Sequence, residues 1–206
     1  MTYLPLLLSL LAVDLLAAIS PGPNFLVVAQ AAIGGSFRRA AAVVIGILTA
    51  NLLWCLGVLL GLSALFGLAP WLYSTMKVLG GIYLVSLGVA LWRKGSRPLL
   101  MPESSFERTL AAAFARGLIT NLSNPKSVVY FGCIFALFMG PRAPDWVKSL
   151  AIGIVLLDTV LWYGTVAAVF SRVRIQRAYA ALEKSINRLT GAVMIGFGAR
   201  LVLIRD

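Results

Sequence analysis

Three charged side chains lie where this chain is otherwise apolar. Asp14 sits in Leu10-Leu11-Ala12-Val13-Asp14-Leu15-Leu16, Asp158 in Val155-Leu156-Leu157-Asp158-Thr159-Val160-Leu161, and Lys126 directly follows Asn124-Pro125. A carboxylate held away from water must be protonated, paired or hydrated, so such a group suits the binding and release of a proton. Asp14 and Asp158 therefore each read either as a proton-coupling site or as a structural ion pair or helix-packing hydrogen bond. Asn24, Asn51, Asn121 and Asn124 add neutral donors and acceptors. Asn51 lies within an apolar run, where an amide must find a partner in a substrate or in another helix.

Two of these groups of polar residues coincide with breaks. Ser20-Pro21-Gly22-Pro23-Asn24 and Asn121-Leu122-Ser123-Asn124-Pro125-Lys126 each interrupt an apolar stretch of about 30 residues, longer than the roughly 20 that one span needs. Proline removes a backbone donor and clashes with the preceding turn, and two prolines flanking a glycine should unwind the chain. Asn124 before Pro125 is the chemistry of a new helix start. Unwound backbone inside a bilayer is tolerated only against protein or a wet cavity, so both breaks are candidate binding sites. The alternative is a pair of ordinary proline kinks.

The composition requires a membrane. Of 206 residues, 60% are hydrophobic and 12% charged, and the mean hydropathy is +0.93. Soluble domains carry about 25% charged residues. An ordinary soluble globule, a disordered tail and a nucleic-acid-binding domain are excluded despite the net charge of +11. There is no histidine, and the two cysteines, Cys55 and Cys133, form no CxxC pair, so metal, redox and cofactor chemistry have little support.

Six apolar stretches follow one another: Leu4–Ile33, Ala40–Phe66, Trp71–Trp92, Leu110–Met139, Trp146–Phe170 and Ile186–Ile204. They predict an all-α protein of six transmembrane helices in one domain, 1–206, with the first and fourth helices broken. The first 20 residues lack a positive n-region and run on into further apolar sequence, so they read as a span and not as a cleaved signal. Residues 34–39, 67–70, 94–107 and 140–145 read as connections, and Ser171–Ser185 as a basic linker. Trp71, Trp92 and Trp146 fall near span ends, as interfacial anchors do.

Cations set the orientation. Twelve of the 18 Lys and Arg flank the first, third and fifth connections: Arg38, Arg39, Arg93, Lys94, Arg97, Arg108, Arg116, Arg172, Arg174, Arg177, Lys184 and Arg188. Lys77, Arg142, Lys148, Arg200 and Arg205 fall on the other side. The positive-inside rule then puts both termini outside the cytoplasm.

The two halves, about 1–95 and 105–206, match in order. Asp14–Asn24 aligns with Arg116–Lys126, bringing Pro23 onto Pro125. Gly46, Ile47, Asn51 and Gly57 align with Gly153, Ile154, Asp158 and Gly164; Leu79, Gly81, Gly88 and Leu91 align with Leu189, Gly191, Gly198 and Leu201. Three spans per half make the repeat inverted, with a binding site expected near the midplane. The match of Asp14 to Arg116 suggests a charge relation between the halves, and that of Asn51 to Asp158 suggests that these two face each other.

The Pro21-Gly22-Pro23 break, the segment Leu79-Gly80-Gly81-Ile82-Tyr83-Leu84 and the stretch from Gly117 to Lys126 together resemble the LysE/RhtB family of bacterial amino-acid exporters. The resemblance covers essentially the whole chain. It implies proton-driven export of amino acids or similar small zwitterions across the bacterial inner membrane, and no enzymatic activity. The substrate carboxylate would meet the helix starts near Pro23 and Pro125, assisted by Lys126 unless that lysine snorkels to an interface. The ammonium would meet carbonyls around Ser20 to Gly22 and Leu122 to Ser123. Trp54, Tyr83, Trp162 and Tyr163 read as cavity walls or as simple packing, and Gly57 and Gly61 are spaced for close helix packing or a homodimer. Besides the substrate, the expected partners are protons and the lipid bilayer. A metal-ion exporter, a non-transporting assembly factor and a thiol–disulfide carrier are the other classes weighed. The last lacks cysteines at the breaks, and the first lacks a His, Asp or Cys cluster in the spans. A reporter fused after Asp206 is expected to act outside the cytoplasm; cytoplasmic activity would overturn the orientation.

Overall fold

The computed structural model describes residues 3–19, 22–33, 37–62, 70–93, 109–135, 143–170 and 172–203, and every secondary-structure element among them is a helix. Ser20 and Pro21, and most of the expected connections (34–36, 67–69, 94–108 and 140–142), lie outside the described residues.

The first apolar stretch forms two helices, α1 (Leu4–Ile19) and α2 (Pro23–Ile33), whose axes differ by 54°. Pro23 opens α2, where its missing N–H costs nothing. The fourth stretch divides in the same way, into α5 (Leu110–Leu122) and α6 (Pro125–Val129). Thr109 caps α5 by accepting the Ala112 N–H at 3.1 Å, and Asn124 Oδ1 accepts the Lys126 N–H at 3.0 Å to start α6. α6 then widens into a π-helical stretch, Tyr130–Phe135. Between these broken elements lie α3 (Phe37–Gly57), which also ends in a π-helical turn at Val58–Leu62, and α4 (Pro70–Arg93). The chain closes with α7 (Asp145–Val169) and α8 (Val173–Leu203). Phe37–Gly61 and Asp145–Val169 are each long and apolar enough to cross a bilayer, and the bent α1–α2 pair makes a third such segment.

One expected boundary is wrong. Ser171–Ser185 is not a linker: α8 starts at Val173 and runs unbroken for 31 residues. At 1.5 Å per residue that is about 46 Å, against about 30 Å of hydrocarbon. Hydropathy ends a span where the residues turn basic, but a helix carries Arg174, Arg177 and Lys184 on its exposed side without a break in its backbone hydrogen bonds. Trp92 and Trp146 lie at helix ends with exposed rings, as interfacial anchors require.

Glycines set the two closest crossings. A Cβ on Gly46 would lie 2.1 Å from Phe114 O, and one on Gly117 2.1 Å from Val43 O, so α3 and α5 touch backbone to backbone. α4 and α8 do the same: a Cβ on Gly191 would lie 2.6 Å from Gly88 O, and one on Gly198 2.5 Å from Gly81 O.

The buried apolar residues form two clusters. One joins Leu7, Leu10 and Val13 of α1 to Cys55, Phe131, Phe135, Val147 and Val155. The other joins Phe25, Val28, Val43, Ile47, Val166 and Phe170. Along α3, Asn51 falls between Ile47 of one cluster and Cys55 of the other; along α7, Asp158 and Thr159 fall between Val155 and Val166. A thin polar layer is thus held between two apolar ones.

Gly117→Ala should lower the midpoint of thermal unfolding in detergent, at a cost in the upper part of the range of about 1–3 kcal/mol for overpacking, because a backbone carbonyl cannot yield as a side chain can. Gly153→Ala and Gly164→Ala, whose added Cβ meets nothing within 4 Å, should stay within about 0.5 kcal/mol of the parent.

Candidate functional site

The polar layer lines a partly open cavity of about 50 Å³. Five elements and the residues between them contribute. Asp14, Ala17 and Ala18 come from α1; Gly22, Asn24 and Phe25 from the second side of the first break; Asn51 from α3. Asn124, Lys126, Ser127, Tyr130 and Phe131 come from the second break and its π-helical continuation, and Asp158, Thr159 and Tyr163 from α7.

The amides are joined across the halves of the chain. Asn124 Nδ2 donates to Asn24 Oδ1 at 3.2 Å, so the two breaks are tied directly to each other. Asn121 Nδ2 donates to Asn51 Oδ1 at 2.8 Å, Asn51 Nδ2 donates to Thr159 Oγ1 at 2.7 Å, and Thr159 Oγ1 donates to Val155 O at 2.7 Å. This chain fixes the α3, α5 and α7 faces of the cavity. Each link satisfies an amide that lipid could not.

The charged groups meet at the same place. Asp14 and Asp158, from opposite halves, are both buried and lie within electrostatic reach of each other, and Lys126 lies within reach of Asp14. The Lys126 ammonium donates to Ala17 O, near the end of α1 where the helix stops. Tyr130 neighbours Asp14, yet Asp14 Oδ2 and the Tyr130 hydroxyl both lack a geometrically satisfied hydrogen bond. Buried polar atoms of this kind are usually partnered by water or a ligand.

Of the residues singled out in the sequence, Asp14, Gly22, Asn24, Asn51, Asn124, Lys126 and Asp158 line one cavity. Asn121 is fully buried behind it, holding Asn51 in place. Pro23 and Pro125 do not line it; each starts a helix at its edge. Ser20 and Pro21 lie outside the described residues. Arg116 does not join the cavity: its guanidinium donates to Gln30 Oε1 at 2.8 Å, on α2. Of the aromatics, Tyr163 lines the cavity, while Trp54 stacks on Phe131 with ring centroids 6.1 Å apart and planes 4° from parallel. Phe25, Ser127, Tyr130, Phe131 and Thr159 were not singled out. Thr159 had a signal, a hydroxyl beside an intramembrane acid. Tyr130 and Phe131 had none, because an aromatic residue in an apolar run reads as packing.

An all-helical, multi-pass membrane protein with a polar cavity between two apolar clusters has the build of a transporter. The chain belongs to the LysE type translocator family, whose model matches residues 15–205. It is similar to the threonine efflux protein of Salmonella typhi, at 35% identity over 196 residues covering 94% of this chain and 95% of that protein. It is also similar to the threonine efflux protein of Escherichia coli strain K12, at 33% identity over 205 residues covering 98% and 100%. An uncharacterized membrane protein of Haemophilus influenzae is 30% identical over 201 residues, 96% of each chain. No solved structure matches. The protein is a transporter and not an enzyme.

Asn51→Ala removes the centre of the amide chain and leaves the Asn121 amide nitrogen unpaired. It should destabilise the protein by about 1–3 kcal/mol, read as a lowered unfolding midpoint. In a double-mutant cycle, adding Thr159→Val should cost less in the Asn51→Ala background than in the parent. Strict additivity would mean that the two side chains do not act together.

Proposed function

We propose that the protein exports amino acids or similar small zwitterions from the cytoplasm by proton antiport, through alternating access of two inverted three-span halves in the bacterial inner membrane. The observation that carries this reading is the meeting of Asp14 and Asp158 with Asn24, Asn51, Asn124 and Lys126 around one buried cavity. Relatives named threonine efflux proteins, matched over nearly their whole length, support the substrate class.

Each part of a zwitterion has a complement there. The α2 N-terminus, opened by Pro23, offers a positive dipole end to the substrate carboxylate, and Lys126 beside the second break, opened by Pro125, adds a full charge. Asn24, Asn51 and Asn124 orient the substrate, with Asn121 holding Asn51. Asp14 and Asp158, with the carbonyls near Ser20 to Gly22, take the ammonium. When the substrate leaves, a proton replaces its ammonium on a carboxylate, so that carboxylate is not left bare in the cavity. That exchange is the coupling.

The α4–α8 contact supports the repeat. The expected repeat pairs Gly81 with Gly191 and Gly88 with Gly198. In the fold Gly88 packs on Gly191 and Gly81 on Gly198, so exchanging the halves turns one contact into the other. A two-fold relation requires that behaviour. Among the described residues, a Cβ added at Gly57 or Gly61 would meet nothing within 4 Å, and this end of α3 with its π-helical turn is where we place a second copy of the chain.

Purified protein in vesicles loaded with labelled amino acids should show efflux that accelerates when a pH gradient is imposed. Asp14→Asn or Asp158→Asn should abolish that acceleration while the protein remains folded in the membrane. Absence of efflux across a broad amino-acid panel would sink the exporter reading. Full gradient dependence in both Asn variants would remove the two aspartates as proton carriers.

A further inference from the structure

Asn187 of α8 is fully buried, and neither its amide nitrogen nor its amide oxygen has a hydrogen-bond partner among the described residues. An amide left dry at both ends is costly, and almost all such groups in folded proteins meet protein or water. Asn187 is not isolated. Tyr179, Glu183, Asn187 and Thr190 succeed one another at steps of four, four and three residues, which puts the four on one flank of the helix. Glu183 and Thr190 are buried at 5% and 2% exposure, and the buried Tyr179 hydroxyl also lacks a partner. Tyr179 and Glu183 are electrostatic neighbours. The mechanism above uses none of these groups.

Their position in the fold is informative. Tyr179 packs against the apolar cluster that holds Phe25 and Phe170, and Met194 belongs to the opposite cluster. The polar stretch between them therefore lies along α8 between the two clusters. The Tyr179 ring stacks on Phe25 with centroids 4.8 Å apart, and Phe170 meets both rings edge-on at 5.3 and 5.4 Å. Phe25 itself lines the cavity. One aromatic layer thus separates two buried polar regions. Arg174, Arg177, Lys184 and Arg188 lie exposed around the same half of α8, with Arg172 just before it and Glu183 as the buried carboxylate among them.

We propose that Glu183, Asn187 and Thr190 wall a second, hydrated compartment that receives the ammonium group of the amino-acid substrate before it passes Phe25 into the central cavity. The exposed cations draw the substrate carboxylate toward this end of the bundle. Glu183 then selects the ammonium, and Asn187, free at both ends of its amide, completes the hydration shell or holds the carboxylate. The proposal rests on the exporter reading for its ligand, but not for the existence of the compartment.

The chain has only two cysteines, so a Cys55→Ala, Cys133→Ala parent isolates any new thiol. In purified, membrane-reconstituted protein, Thr190→Cys should react with a charged, water-soluble thiol reagent. Val155→Cys, equally buried but within an apolar cluster, should not. Saturating threonine should slow the Thr190→Cys reaction. In transport assays Glu183→Gln should raise the half-saturating substrate concentration about tenfold, the worth of one charge-assisted hydrogen bond, with the maximal rate within about twofold. Glu183→Asp should restore much of the affinity. A structural role for Glu183 would instead lower the amount of folded protein without moving half-saturation. Thr190→Cys as inert as Val155→Cys would overturn the compartment, whatever the transport assay shows. Labelling unaffected by threonine would overturn its role in substrate capture. Reactive Thr190→Cys in a protein that exports no amino acid would leave the compartment standing and remove the exporter reading.

Discussion

A helix that stops inside a bilayer leaves carbonyls and amides that lipid cannot satisfy. This protein stops a helix in that way twice, after Ile19 and after Leu122, and much of the fold around the site follows from that cost. The two breaks lie against each other, joined by the hydrogen bond from Asn124 to Asn24, and the Lys126 ammonium reaches Ala17 O at the end of α1. Each break is thus part of the other's solution. A chain with one break would need an added water channel or an additional polar helix to do the same.

The apolar residues serve this arrangement by position more than by amount. Between helices in lipid there is little hydrophobic drive to associate, so close van der Waals packing must hold the bundle. Gly46 and Gly117 let α3 and α5 touch at the backbone, and Gly88, Gly191 and Gly198 do so for α4 and α8. With those crossings set, Asn51, Asp158 and Thr159 fall at one depth, with an apolar cluster on either side. Separation of the cavity from both ends of the bundle follows from where the polar residues sit along α3 and α7.

Much of this was legible in the chain itself because the membrane simplifies the code. A run of apolar residues, a Pro-Gly-Pro or an Asn-Pro within it, and a lone Asp each have few physical interpretations in hydrocarbon. Asp14, Asn24, Asn51, Asn124, Lys126 and Asp158 were all found on that ground. The polarity of residues 171–185 misled, because hydropathy reports where a helix leaves the bilayer and not where it ends. Arg116 lies outside the cavity: its match to Asp14 is one of sequence position, and its guanidinium donates to Gln30 on α2. Tyr130 and Phe131 had no signal, since an aromatic residue in an apolar run looks like packing until its neighbours in the fold are known.

The chain by itself determined the solvent it needs, the all-helical build, the places where two helices must break, and the short inventory of polar groups in apolar surroundings. These follow from local chemistry: transfer energies, proline geometry and helix capping act within a few residues. Only the tertiary structure decided which of those groups meet. Asp14 and Asp158 are 144 positions apart (158 − 14) and share one cavity, whereas Arg116 stays outside it. Only the tertiary structure, too, shows that Glu183, Asn187 and Thr190 are buried, although their own segment reads as a basic surface linker and the start of a span. Burial is a property of what packs alongside, and glycine contacts between distant helices set that packing.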